Sequence, residues 1–599
     1  MLSDIRSLFT PLKKYQRPLE KYVFPLVLLL YPLLNVTAGA DITDTGYNLT
    51  NFEFVDGLDP MWFFSTYLSN IIGNFIINLP CAETMMGMRV YCSLIISLTA
   101  LISYYFLQRS MPGWMIFIGA FIAESLCWCP TVILYNYLTY LFFTLGTVFL
   151  LKGIFDWREQ RKKLFIAGVF FGINILVRFS NAPECMMILV LWFYDIITKD
   201  RITDTIKKTL SCIAGYICGF GIPILFISGK YGMNAYPNAI GELFGMTQDA
   251  SDYSSSGMLT DILNAYRTSF RHMIIIIPCV IAGIVMFKLY GSRYVVAKRL
   301  LYIAGLFVLL KFYFSRGVFT TNYFYYDSME QAATMFIIIA VIFAILGSIG
   351  YLNGSKEEQT LAFCALMIIL LVPIGSNNRN LPLVNNMFLV APISLWLYRR
   401  LIQRLGEAEW NFAWQSTFVG LVTVLVVQGI LFHLNFSFVD GMDGAQKRDH
   451  VIKNIPKVKG MVTTEYNAET LEELALFMEN NVSGEDKVIT FGSIPGISYL
   501  FDLEPAINTS WPNLDSYVTD KYKSELERAF GEGKKPVIII GKNEIEAYFE
   551  DEENDGSEPD IYANAKTKYS MLLDYIDEYD YNIVFESDRF VVYTPGQHE

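Results

Sequence analysis

What most constrains this chain is the recurrence of apolar stretches that have no place in water. Residues 22–34, 88–107, 113–130, 132–151, 164–180, 183–197, 209–228, 272–290, 300–315, 329–350, 359–375, 387–403 and 415–433 are each dominated by apolar side chains. In a bilayer such stretches satisfy their backbone groups as helices. With 53% hydrophobic and only 17% charged residues among 599, the chain has too little polar surface to wrap them as a soluble protein. The expected fold is therefore a polytopic α-helical membrane protein with about thirteen transmembrane helices.

Charge orients it. Arg6, Lys13, Lys14, Arg17 and Lys21 precede the first apolar run, and alternate connections carry basic clusters at 152–163, 199–208, 288–299 and 399–404. Basic connections stay on the cytoplasmic side, so the N-terminus is cytoplasmic, and an odd number of spans puts residues 440–599 outside. Ala38 and Ala40 resemble a signal-peptidase site; cut or uncut, Asp41 stays outside. Residues 440–599 hold 33 acidic against 15 basic side chains, whereas residues 1–439 hold 25 against 31. That shift divides the chain into a membrane domain, 1–439, and an acidic, extracytoplasmic soluble domain, 440–599.

In the tail, periodicity predicts helices over 465–480, 518–531 and 564–579, strands over 487–491 and 536–540, and a hairpin pairing 582–585 with 590–593. This is an α/β pattern. The acidic run 550–560, with Gly556, Ser557 and Pro559, reads as an exposed loop; 491–496, behind a strand where α/β domains often bind ligands, reads more simply as a plain turn. Residues 55–86 are rich in aromatics but broken by Asn70, Gly73, Asn74, Asn78 and Pro80, which suits helices lying in the membrane interface. All nine cysteines precede the tail, so it has no disulfide framework, a usage that suits a bacterial exterior. No repeat of fixed period and no inverted duplication of spans is visible.

The chemistry concentrates at residues 39–47, Gly-Ala-Asp-Ile-Thr-Asp-Thr-Gly-Tyr, where the first span emerges. Asp41 and Asp44 are three apart, so a helical turn points both to one side. Such a pair can serve as a general base, as ligands for a divalent cation (Mg or Mn), or as both. The plainer reading makes them solvated residues, with Asp44 capping a helix that begins at Thr45. Gly46 permits close backbone approach, and Tyr47 offers an aromatic face on which a sugar can stack.

Other ionisable residues are candidates for holding substrate. Arg178, Lys230, Arg267, Arg271, Arg316 and Arg379 fall on the outer face, and Arg267 and Arg271, four apart, share one side of a helix and can flank a phosphate. Their alternative is snorkelling to lipid headgroups. Glu124, among apolar residues, is either a second site acid or the partner of a neighbouring Arg. Tyr323, Tyr325 and Tyr326, with Arg379, line either a sugar pocket or an aromatic belt. Four scattered histidines, no zinc spacing, no P-loop and no basic patch leave zinc, nucleotide and nucleic-acid functions without support.

Asp44-Thr45-Gly46-Tyr47 behind a first span resembles the acidic motif of the GT-C superfamily of membrane glycosyltransferases. Interfacial helices follow, then Gly87-Met88-Arg89 opening the next span, Gly168 to Gly172 and Arg178 in a later one, and an extracytoplasmic α/β tail. The resemblance implies an inverting transfer from a sugar on a polyprenyl phosphate to an extracytoplasmic acceptor: a cell-wall polymer, a lipid-linked glycan or a protein. It implies Asp44 as general base, with Asp41 as its partner or a cation ligand. Thr45 stands where the commoner motif has Glu, which leaves the cation an open element. The competing class is a transporter or flippase of a lipid-linked or small solute with the tail as a binding module. It predicts ionisable residues at mid-membrane, whereas most acidic residues here fall at span ends.

Overall fold

A computed structural model describes residues 15–249, 255–289, 291–406, 408–440, 447–531, 533–550 and 562–596. Arg6, Lys13, Lys14, His598 and residues 551–560 of the expected acidic loop lie outside the described residues. The chain is mostly helical and ends in a small sheet domain. Among the described residues six helices are long and apolar enough to cross a membrane: Met85–Leu107, Leu134–Phe155, Ile202–Tyr231, Gly257–Lys288, Glu330–Ser348 and Asn411–Asn435. The chain is an integral membrane protein.

Other apolar segments form shorter or compound helices. The Gly113–Leu126 helix has 14 residues, about 21 Å, less than the hydrocarbon thickness. The first segment is a π turn at Leu19–Val23, an α-helix at Phe24–Leu30 and a 3-10 turn at Tyr31–Leu33, with Pro25 and Pro32 interrupting the backbone donors. Pro183 lies within a 3-10 stretch, Phe179–Ile188, that leads into the ten-residue helix Leu189–Thr198.

Two of the helices touch backbone to backbone. Gly168 and Gly172 of Gln160–Val177 face Gly215 and Gly219 of Ile202–Tyr231. A methyl group on Gly168 would lie 1.9 Å from the Cys212 carbonyl oxygen, and one on Gly215 would lie 1.9 Å from that of Phe165. Small residues four apart on both partners allow this approach, and contact is what holds helices together where lipid removes the hydrophobic drive. The pairs rise together along both chains, so the helices run parallel. The other side of Ile202–Tyr231 exposes Ile206, Leu210, Ile213 and Ile217, a lipid-facing stripe. Gly215→Ala is expected to cost about 1–3 kcal/mol through overpacking, read as a lower Tm in detergent. Gly221→Ala, on the same helix but with its nearest neighbour 4.0 Å away, is expected to leave Tm unchanged or raise it.

The expected tail elements are present to within two residues, with helices Glu465–Asn481, Thr519–Gly531 and Ala563–Glu578, and Lys542–Glu550 is a further helix. Strands β1 (Arg448–Val451) and β2 (Val462–Thr464) form an antiparallel pair. Strands β3 (Val488–Phe491), β4 (Val537–Gly541), β5 (Tyr581–Glu586) and β6 (Phe590–Pro595) form a sheet of order β3-β4-β6-β5, parallel only between β3 and β4. Every residue of β3 and β4 is buried, as expected of strands covered on both faces. The tail also docks onto the membrane part: Gly39 N donates to Val462 O at 2.7 Å, and Val462 N donates to Thr37 O at 2.7 Å.

Candidate active site

The acidic stretch is built where the first and last spans end. Asn35 Nδ2 donates to the carbonyls of His433 and Phe436, both at 3.3 Å, which sets the two exits side by side. Gly39 adopts φ +76°, and a methyl group there would lie 1.6 Å from Ser437 Oγ, so only glycine fits. Buried Arg89 donates to Ala38 O at 2.6 Å. Buried Asp440 gathers the surrounding donors: Ala40 N at 2.8 Å, Arg448 Nε at 2.6 Å, Asn467 Nδ2 at 3.0 Å and Thr463 Oγ1. The loop is thus tied to the last span and the tail before it reaches Asp41.

The two carboxylates then take different jobs. Asp41 is fully buried; its Oδ1 accepts from Thr43 N at 2.8 Å and Thr43 Oγ1 at 2.6 Å, and its Oδ2 accepts from Thr45 N at 2.7 Å. It therefore caps the Asp44–Glu53 helix, the task that the plainer sequence reading gives to Asp44. Asp44 is instead the first residue of that helix and is partly exposed. Burial first, and the neighbouring Asp41 charge second, push its carboxyl up to about 7. A carboxyl that exchanges its proton near neutrality is matched to general-base work.

Asp41→Ala tests this division. Loss of the cap is expected to lower stability by about 1–2 kcal/mol, read as a lower Tm. Removing the adjacent charge lets the Asp44 pKa fall, so any Asp44-dependent rate keeps its value to lower pH.

The tail closes over the helix. A methyl group on Gly46 would lie 2.5 Å from Gly496 Cα, so the close approach expected of Gly46 is made to the tail's backbone. Gly496 N donates to Ile42 O at 2.8 Å, and Thr50 Oγ1 donates to Pro495 O at 3.0 Å. The 491–496 turn is therefore a clamp on the acidic stretch. Tyr47 meets Trp511 edge to face, ring centroids 5.6 Å apart, so its aromatic face is shared with the tail.

The remaining candidates lie elsewhere, each with its own surroundings. Glu124 is fully buried, and neither carboxylate oxygen has a hydrogen-bond partner among the described residues, so pairing with an Arg, one of its two readings, is not made there. Arg178 lies over the Tyr135 ring at 5.4 Å, Arg316 over Phe312 at 5.6 Å, and Lys230 over Tyr231 at 4.7 Å. Arg267 and Arg271 are both exposed on Ser255–Met273. Arg379 pairs with Glu330 at 2.7 Å and Asp327 at 3.5 Å, so its charge is answered within the fold. Gln428 Nε2 lies 3.2 Å from the Tyr323 hydroxyl and Trp128 Nε1 donates to Tyr326 O at 3.0 Å, which packs that loop against span ends. The structure brings together Asp41, Asp44 and Tyr47, and adds Asp440, Gly496 and Trp511, which no local sequence signal connects to them.

Both Asp41 oxygens already face N–H or O–H donors, and no group of three His, Cys, Asp or Glu side chains disposed to hold a metal occurs among the described residues. No step proposed below runs through one.

No protein-family model matches the chain, and no curated protein matches it. Among solved structures it is similar to the oligosaccharyltransferase of Archaeoglobus fulgidus in complex with zinc and sulfate, with a TM-score of 0.46 and 12% identity over 96% of this chain and 73% of that one. It is likewise similar to the same enzyme tethered by a disulfide to an acceptor peptide containing the NVT sequon, with a TM-score of 0.44 and 10% identity over 99% of this chain and 75% of that one.

Proposed function

We propose that this protein is a membrane glycosyltransferase of the GT-C kind, N-terminus cytoplasmic and tail extracytoplasmic, moving a sugar from a polyprenyl-phosphate-linked donor to an acceptor outside the membrane. The observation that carries the reading is the separation of roles between adjacent carboxylates. Asp41 is consumed in holding the helix, and Asp44 is left partly exposed with its proton exchange near neutrality.

In the reaction, Asp44 takes the proton of an acceptor hydroxyl as its oxygen bonds to the anomeric carbon, and the bond from that carbon to the phosphate oxygen breaks. Attack opposite the leaving group inverts the anomeric centre. The departing phosphate is already stable as an anion and needs cations more than an acid, and arginine grips it with paired hydrogen bonds. Arg178 and Arg316 face aromatic rings and Arg267 and Arg271 are exposed, so the charges of these four are freer for that task than that of Arg379.

The test is sugar release and transfer by purified full chain from a panel of radiolabelled polyprenyl-phosphate sugars, wild type beside Asp44→Asn. Transfer by the wild type that vanishes in a folded Asp44→Asn protein is the expected result. Equal turnover in both would overturn the reading.

A further inference from the structure

One edge of the tail's four-stranded sheet is closed and the other is open. At β3, Val488 N donates to Glu504 O at 3.0 Å and Ala506 N donates to Val488 O at 2.8 Å, so segment 504–506 runs along that edge. At β5, no described residue outside β6 makes a backbone hydrogen bond to Tyr581–Glu586. This open strand is nonetheless written like an interior one. Ile583-Val584-Phe585 is an unbroken apolar run, the pattern of a strand covered on both faces. Helices do cover both faces of the sheet: Tyr581 belongs to the apolar cluster of Thr519–Gly531 and Ala563–Glu578, and the Phe585 ring meets Phe477 of Glu465–Asn481 at 5.0 Å. Yet Ile583 is 54% exposed, Val584 42%, and Leu476, beside Phe477, 66%. Val584 is the extra residue at an irregularity in the pairing with β6, and neither Pro nor Lys, common protections of an edge, occurs in the strand.

The surroundings of this apolar run are acidic. Asp577, Glu578 and Asp580 before it and Glu586 and Asp588 after it are exposed, as are Glu473 and Glu479, one turn either side of Leu476. Lys542, 3.1 Å from Glu586, answers one of these charges. We propose that the β5 edge docks an extended segment of another polypeptide, β-branched at its centre and flanked by Lys or Arg, which adds as a fifth strand. Backbone hydrogen bonds to β5 hold the segment, its central side chains cover Ile583 and Val584, and its flanking cations meet the carboxylates. Access is given by the exposure of the strand itself. A second copy of this chain fits less well, since pairing β5 with its own copy brings two sets of carboxylates together. The inference concerns a partner of the tail and stands apart from the role of Asp44.

The test is fluorescence anisotropy of a labelled peptide, Lys-Lys-Thr-Val-Thr-Val-Thr-Val-Thr-Lys-Lys, titrated with purified full chain in detergent, with hydrogen exchange of Tyr581–Glu586 followed in its presence. Saturable binding that weakens as salt rises, together with slowed exchange in β5, is the expected result. A peptide with Pro for its central Val lacks a ladder donor and is expected to bind at least tenfold more weakly; one with Glu for its four Lys is expected not to bind. Ile583→Ser and Val584→Ser are each expected to weaken binding about five- to tenfold through lost apolar burial. Both side chains are exposed, so Tm should match that of the wild type. Absence of binding, equal binding of the Pro peptide, or wild-type binding by both variants would overturn the proposal. So would sedimentation showing a wild-type dimer that both substitutions dissociate, because the edge would then belong to a second copy.

Discussion

Asp44→Asn is expected to abolish sugar transfer and, at the same time, to make the protein harder to unfold above neutral pH. Removal of a general base costs about 10²- to 10⁴-fold in rate. The gain in stability follows from the direction in which folding moves the Asp44 carboxyl, from the ordinary 3.8 up to about 7. Between those values the folded state holds a proton that the unfolded state has released, so stability falls as pH rises through that window. Above about 7 the folded protein carries a charge it holds poorly. Each tenfold gain in proton affinity on folding costs about 1.4 kcal/mol there, reduced by the partial exposure of the group. Asparagine never ionises and escapes this cost.

The measurement is thermal unfolding of wild type and Asp44→Asn at pH 5 and pH 8, beside a pH–rate profile of the wild type. The Tm advantage of the variant should widen from pH 5 to pH 8, and wild-type rate should rise with pH to a plateau above about 7. Burial also pushes the Glu53 carboxyl up to about 7, against the pull of Lys457. Glu53→Gln must therefore leave the acidic limb of the profile in place; a limb that moves with Glu53 would assign the proton elsewhere.

Asp440→Ala is expected to be the most damaging change to stability, on the order of 3–5 kcal/mol. Asp440 is the point where the last span, the loop after the first span and the tail meet, through Ala40, Arg448, Thr463 and Asn467. Alanine leaves the Arg448 guanidinium, whose side chain is 9% exposed, without its counter-charge. Asp440→Asn, which keeps an acceptor for Ala40, should cost less. Arg448→Met combined with Asp440→Asn should recover part of the loss, because a buried pair removed together costs less than one broken. Thermal melting and protease release of the tail from the membrane part measure this. A single Asp440→Ala variant that melts with the wild type would show that the contacts carry no net energy.

What the sequence made legible depends on range. Three tail helices and the four strands β3 to β6 were readable to within two residues because period and β-branched runs are local properties, as in Val537–Gly541, whereas β1, β2 and the Lys542–Glu550 helix were not anticipated. The local form of the membrane segments was not, because Pro25, Pro32 and Pro183 fall in α and 3-10 stretches of one apolar composition. Position after the first span singled out Asp41 and Asp44 together. Which of them caps the helix depends on the turn through Ile42 and Thr43, and composition is blind to that turn. The Gly168 to Gly172 spacing was visible, but its partners Gly215 and Gly219 were known only once the helices were seen to touch. Gly496 carried only the signal of a turn, and Ser510 and Trp511 none, since each borders the Asp44–Glu53 helix across more than four hundred residues of chain.

The tie between Ala40 and Asp440 also sets an order of assembly. Its two ends are 400 residues apart, and a ribosome adding about 5–20 residues per second needs roughly 20–80 s to make the second after the first. Through that interval the acidic stretch has left the first span without the partners that give it shape. The acidic stretch thus takes its folded form only once the tail has been made.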